Sequence, residues 1–128
     1  MAKKYAFRGV SAEEVKRMSI EEFIKLLSSH KRRTLKRMSA KIRKFIEKFR
    51  GDIAKGKVVK TTLREMIVLP EMIGAIIKVH SGKEWVELKI RDEMLGHRLG
   101  EFAHTTKLVK HSGPGVGATR GSKAVELR

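Results

Sequence analysis

HSGKEWVELKIRDEMLGHRLGEFAHTT, residues 80–106, is the stretch that decides the fold. In Ser81-Gly82-Lys83 the glycine is free to take the positive φ of a tight turn. From residue 84 to 90 apolar and polar side chains alternate, with Val86, Leu88 and Ile90 on one face and Glu87 and Lys89 on the other. That pattern is a strand with one buried side. Residues 75–80, rich in β-branched side chains, supply its hairpin partner. Asp92 is placed to cap a short helix over residues 93–99. Gly96 inside that helix costs about 1 kcal/mol relative to alanine, which argues for close approach of backbone, sheet or a bound partner.

Working upstream, Pro70-Glu71-Met72-Ile73-Gly74 reads as one helical turn, with proline near its start and glycine past its end. Before it, Met66-Ile67-Val68-Leu69 is a short apolar run that Pro70 stops. Lys60-Thr61-Thr62-Leu63-Arg64 is rich in hydrogen-bond donors and suits phosphate and ribose contact, or equally a solvated loop. Residues 51–60 read as a polar linker. Residues 31–50 read as one long basic helix, with Leu35, Met38, Ile42, Phe45, Ile46 and Phe49 as its apolar stripe. Its other faces carry Lys36, Arg37, Lys41, Arg43, Lys44 and Lys48, and Lys31, Arg32 and Arg33 open it. Such a face serves RNA, another acidic partner or plain solvation.

Nearer the N-terminus, Ser11 with Glu14 and Ser19 with Glu22 form two capping boxes. The second opens a short amphipathic helix with Ile20, Phe23, Ile24 and Leu27 on one face. That helix and the 31–50 helix are expected to pack as a hairpin. Residues 1–10 show no periodicity and read as an arm. Beyond residue 105 the chain loses periodicity; Gly113-Pro114-Gly115-Val116-Gly117 forbids regular structure and leaves an extended basic tail.

The expected fold is therefore α+β: a small, mostly antiparallel sheet with a short helix, an N-terminal helical hairpin and the tail. Its division is a basic helical extension over 1–56, a core over 57–106 and the tail over 107–128. Charge follows that division. The chain carries +16, with +11 in residues 1–50, +1 in 51–104 and +4 in 105–128. Cationic arms around a near-neutral centre repel themselves unless an anionic partner neutralises them, and nucleic acid is the partner class that fits best.

Other chemistries lack their residues. No cysteine is present, which removes disulfides and thiolate sites and accords with a cytoplasmic location. No apolar run reaches the ~18 residues of a membrane span. His80, His97, His104 and His111 lack the close spacing of a metal site and suit donation to RNA instead. Gly121-Ser122-Lys123 is a scrambled echo of a phosphate loop without its order or flanking elements. Glu87, Asp92, Glu93 and Glu101 stand beside no nucleophile. Neither an enzyme, a cofactor nor a metal is expected. A free regulator or chromatin-like protein reading duplex DNA with the 31–50 helix is the competing expectation.

One set of residues resembles a known family. Ser81-Gly82-Lys83, Ile90, Leu95-Gly96, Leu99-Gly100-Glu101-Phe102 and Ala103-His104-Thr105 stand at the offsets of the small-ribosomal-subunit protein nineteen family. Lys60-Thr61, Arg64, Val68, residues 70–74 and Val79-His80 extend the match upstream. The N-terminal helices and the tail over 113–120 resemble its archaeal and eukaryotic branch. The resemblance implies a structural protein of the subunit head that binds the 3′ major domain of 16S-type ribosomal RNA. It implies the head protein numbered thirteen as a neighbour, the large-subunit bridge nearby, and a tail reaching the decoding centre, tRNA and mRNA. Carried onto this chain, it marks Lys60, Thr61, Arg64, His80, Lys83, His97, Arg98, His104 and Thr105 as RNA-facing, with Arg120 nearest tRNA or mRNA. The basic helix adds Arg32, Arg33, Lys36 and Arg37, and the tail adds Lys107, Lys110, His111 and Lys123. Many members have Thr-Arg after the Gly-Glu-Phe corner; here Thr105 is followed by Thr106 and Lys107, a looser phosphate ligand than a bidentate arginine.

Overall fold

The computed structural model describes residues 4–37, 39–115 and 117–121. The class is α+β, as the sequence predicts. Its elements are β1 (Ala6–Phe7), β2 (Val10–Ser11), α1 (Ala12–Arg17), α2 (Ile20–Leu26), α3 (Ser29–Lys36), α4 (Ala40–Ala54), β3 (Val59–Thr61), β4 (Ile76–His80) and β5 (Trp85–Lys89). Single 3-10 turns occupy Pro70–Met72, Asp92–Met94 and Leu99–Glu101.

The hairpin forms where the alternation places it. β4 and β5 pair antiparallel with Ile77 opposite Leu88 and Val79 opposite Val86, so these four side chains share the inner face. Gly82 takes φ +104° at the turn. There the Ser81 hydroxyl donates to the Glu84 carbonyl at 3.0 Å and accepts from the Glu84 amide at 3.3 Å. β3 joins the other edge of β4 in parallel, Val59 opposite Ile77 and Thr61 opposite Val79, giving a mixed three-stranded sheet. The parallel pairing needs a crossover, and residues 62–75 provide it. Within it Met66, Ile67, Val68 and Leu69 are all fully buried. This run lies antiparallel to residues 96–100: the Val68 amide donates to the His97 carbonyl at 2.8 Å and the Leu99 amide to the Met66 carbonyl at 2.9 Å.

The 93–99 stretch departs from the expected helix. It is two 3-10 turns separated by Gly96 at φ +72°, a left-handed conformation that ends any right-handed helix. Asp92 lies inside the first turn and caps nothing; Arg91 holds the cap position. A β-carbon on Gly96 would stand 3.1 Å from both Leu27 and Phe7, so the close approach is to N-terminal side chains. Gly100 is a second such place, where a β-carbon would lie 3.0 Å from the Arg64 carbonyl oxygen.

The N-terminal region differs from expectation in three ways. The supposed arm contains a hairpin, β1 against β2, turning through Arg8 at φ +49° and Gly9 at φ +86°. Two consecutive positive φ values match the twist of the flanking strands. Tyr5, Phe7 and Val10 pack on the core. The long basic helix is two helices, because Ser39 is extended (φ −57°, ψ 153°) and α4 restarts at Ala40; the Met38 position of the stripe lies outside the described residues. The linker is mostly helix and strand. α4 runs through Gly51 and ends on Gly56 at φ +67°, where the Lys57 amide donates to the Asp52 carbonyl at 2.9 Å and the Gly56 amide to the Ile53 carbonyl at 3.0 Å. That pair of bonds satisfies the last helical carbonyls and requires glycine at the turn.

Both capping boxes form. Ser11 and Ser19 each accept from the amide three residues on, and Glu14 and Glu22 each reach back to the serine amide. The helices hold their stripes against the sheet. Val15, Phe23, Ile24, Leu27, Leu35, Ile42, Phe45, Ile46 and Phe49 belong to one buried cluster with Val59, Ile77, Val79, Leu88, Leu95 and Leu99. No helix of the described residues is long and apolar enough to cross a membrane.

Candidate nucleic-acid interface

Helix α4 presents Lys41, Lys44 and Lys48 along one side, three and four residues apart and therefore stacked on the same face. Phe45, between them, anchors that side to the core. β3 runs beside it and continues into Thr61, Thr62 and Leu63. The Thr61 side chain is buried and accepts from the Leu63 amide at 3.0 Å, which folds the chain back and lifts Thr62 into solvent. Between helix and strand lies an open cleft of about 310 Å³ lined by Lys41, Lys44, Phe45, Lys48, Lys60, Thr61, Thr62 and Leu63. Four lysines and the exposed Thr62 belong to its lining, and among the described residues no carboxylate lines it. Such a one-signed concavity attracts phosphate.

Lys60 also faces the outer side of the sheet. Register sets Lys60 opposite Lys78, Lys78 opposite Glu87, and His80 opposite Trp85, so these side chains share the outward face. Lys78 is paired with Glu87 at 3.3 Å. The Lys60 ammonium stands 5.9 Å from the Trp85 ring centroid, and the His80 ring meets the indole edge-on at 4.9 Å. His80 Nδ1 accepts from the Gly82 amide at 3.0 Å, leaving Nε2 as the donor of the neutral ring.

The residues singled out from sequence fall into distinct environments. Arg64 is turned into the fold: its guanidinium donates to the carbonyls of His80 at 2.7 Å, of Gly100 at 2.9 Å and of Ala103. It ties the end of β4 to the Gly-Glu-Phe corner. Arg32 donates to the carbonyls of Lys25 and Leu27, both at 3.0 Å, and so closes the C-terminal end of α2. His97 Nδ1 is 2.6 Å from Glu101 and its ring lies edge-on to Phe102. Burial pushes the Glu101 carboxyl up. The His97 hydrogen bond, the Arg98 amide and the charges of His97 and Lys31 together outweigh it and hold the group below the usual carboxylate range. Arg98 bridges Ile67 through its backbone.

The remaining candidates point outward. Arg33, Lys36 and Arg37 are exposed on and just after α3, and Lys83 is exposed at the hairpin tip. His104, Thr105, Lys107, Lys110, His111 and Arg120 are exposed on the chain beyond the corner, and Lys123 lies outside the described residues. From sequence, Lys41, Lys44 and Lys48 belong to a basic helix face that serves RNA, another acidic partner or solvation but are not singled out, and Trp85 is not marked at all. The lysines carry a readable signal in their helical spacing, but the strand that makes them a cleft is remote in sequence. Trp85 carries one too: it shares the parity of Glu87 and Lys89, the polar face of its strand. Among the described residues no three histidine, aspartate or glutamate side chains gather as a metal-binding set.

The chain is similar to known proteins over nearly its whole length. The family model described as Ribosomal protein S19 matches residues 29–111. Two relatives named small ribosomal subunit protein uS19 match over 128 residues, 99% of this chain and 83% of theirs. The one from Thermoplasma volcanium is 44% identical and the one from Thermoplasma acidophilum 45%. A match of this length, spanning helices, sheet and corner alike, means that the chain belongs to the ribosomal protein S19 family.

Proposed function

We propose that this protein is a structural, non-enzymatic constituent of the small ribosomal subunit that binds ribosomal RNA in the cytoplasm. The observation that carries the reading is the near-full-length likeness to relatives named as small-subunit proteins. The lysine cleft supplies a physical means, since each phosphate neutralised there releases counterions. In finer terms, the protein sits in the subunit head on the 3′ major domain of 16S-type RNA, beside a neighbour of the protein-thirteen family and near the large-subunit bridge. The tail extends toward the decoding centre, with Arg120 nearest tRNA or mRNA. Arg33, Lys36, Arg37, Lys83, His104 and Lys107 are the exposed donors for that RNA, whereas Arg64 and Arg32 support the fold beneath them.

The duplex-DNA alternative reads DNA with a basic helix over residues 31–50, and that stretch is two helices broken at Ser39. Sedimentation tests the proposal directly. The protein is expected to travel with small subunits through a high-salt wash, and crosslinks in the intact particle are expected at the cleft lysines, the hairpin tip and the tail. Recovery in the ribosome-free fraction alone refutes it; crosslinks confined to another RNA domain refute the head placement.

A further inference from the structure

The outward face of the sheet holds an aromatic group where strand alternation places charge. Trp85 is the chain's sole tryptophan and is 43% exposed. The exposed part of the indole is apolar area that a stacked group would remove from water. Its surroundings indicate which partner. Lys60 and His80 flank the indole, Lys78 and Glu87 stand on the adjacent register pair, and the exposed apolar side chain of the same face, Ile76, is at the far end of β4. A protein partner's apolar patch would have to desolvate the Lys60 ammonium and the Lys78–Glu87 pair. A nucleotide meets it with complementary chemistry: a π-face for the indole and a phosphate for the ammonium groups. Lys60 belongs both to the Trp85 flank and to the cleft, so base and backbone sites are contiguous.

We propose that Trp85 is a stacking platform for an unpaired RNA base whose neighbouring phosphates lie in the cleft of Lys41, Lys44, Lys48 and Lys60. The inference rests on the RNA-binding reading above and adds a specificity to it. Stacking accepts any base but requires one that is unpaired, because a base inside a duplex has no free face. The cleft alone takes phosphates of either kind of strand.

The single tryptophan makes the test direct. Full-length protein is titrated with a single-stranded oligoadenylate and with a fully paired RNA duplex, following indole emission and, separately, binding by anisotropy. Oligoadenylate is expected to quench the emission and the duplex to leave it nearly unchanged. Trp85→Ala is expected to weaken oligoadenylate about 5- to 100-fold while duplex affinity is kept, and Trp85→Phe to retain most of the binding. A far-ultraviolet circular dichroism spectrum and a cooperative thermal transition report separately that the variant is folded. If oligoadenylate binds without quenching and with equal affinity to Trp85→Ala, stacking is overturned while the cleft's RNA reading stands. If wild-type protein binds neither probe, the RNA reading itself falls. A Trp85→Ala protein that binds both probes normally yet fails to enter reconstituted small subunits assigns the indole to a protein neighbour and overturns the proposal.

Discussion

Replacing Arg64 by methionine removes three hydrogen bonds at once while keeping a side chain of similar length. The guanidinium joins the carbonyls of His80, Gly100 and Ala103, and so clamps the end of β4 to a corner about twenty residues further along the chain. A hydrogen bond from a charged donor contributes about 1.5–3 kcal/mol, so three give an upper limit of about 4.5–9 kcal/mol. Arg64 is half-buried, and water re-satisfies part of what is removed. The expected cost is about 3–5 kcal/mol, a large share of the ~5–15 kcal/mol that holds a domain of this size together. Urea unfolding followed by Trp85 emission measures it, with Tm expected to fall by roughly 10–20 °C. Arg64→Lys is expected to restore little, because one ammonium cannot span the fork of three carbonyls. A destabilisation below about 1 kcal/mol with an unchanged urea slope, accompanied by weaker RNA binding, refutes the structural role and returns Arg64 to the RNA surface.

Ser19→Ala opens the capping box of α2 and is expected to lower stability by about 1 kcal/mol in the same urea assay, without changing RNA affinity. Gly100→Ala places a β-carbon 3.0 Å from a backbone oxygen. Backbone cannot yield cheaply there, and a destabilisation of about 1–3 kcal/mol is expected by thermal unfolding. Lys44→Ala with Lys48→Ala is expected to weaken RNA binding for all sequences alike. The slope of log affinity against log salt should fall by about 1 for each phosphate left unneutralised, which a salt titration reads. The Glu101 carboxyl has its folded pKa held below its unfolded value. Its contribution is therefore fully present above the ordinary carboxylate pKa and is lost as pH falls through the folded one. Glu101→Gln is expected to flatten the acid limb of stability against pH, which acid-titrated unfolding midpoints check.

What the sequence makes legible is what local rules control. Alternation at Val86, Leu88 and Ile90, the two serine–glutamate boxes and the Pro70 turn each depend on residues within a few positions of one another. The failures arise where distant packing overrides local preference. Gly96 reads locally as a costly helix residue, but it is left-handed, with Phe7 and Leu27 packed where a β-carbon would stand, and the helix gives way to two short turns. The stripe from Leu35 to Ile42 keeps helical spacing across the break at Ser39, so periodicity alone does not reveal the interruption. Phe7-Arg8-Gly9-Val10 holds a turn dipeptide flanked by strand-forming residues, yet two-residue strands are too short to show alternation. For the site, a basic residue's type does not tell which way it points. Arg64 and Arg32 carry the charge expected of an RNA ligand and use it on backbone carbonyls. The lysines of α4 become a binding feature only beside β3, a pairing no local pattern encodes.

The seating of Phe7 and Leu27 against Gly96 also makes folding wait on synthesis. Ribosomes extend a chain at about 5–20 residues per second, so roughly 5–18 s separate the synthesis of Phe7 from that of its seat. Throughout that interval the N-terminal hairpin and the apolar stripes of the helices have emerged without the surface that covers them, on a segment carrying most of the net positive charge. The parallel pairing of β3 waits likewise for β4. Such non-local closure slows folding and lengthens exposure to wrong partners. The nascent chain is thus a cation with uncovered hydrophobic faces before it is a folded protein, and early engagement of a polyanion or a chaperone would shield it through that window.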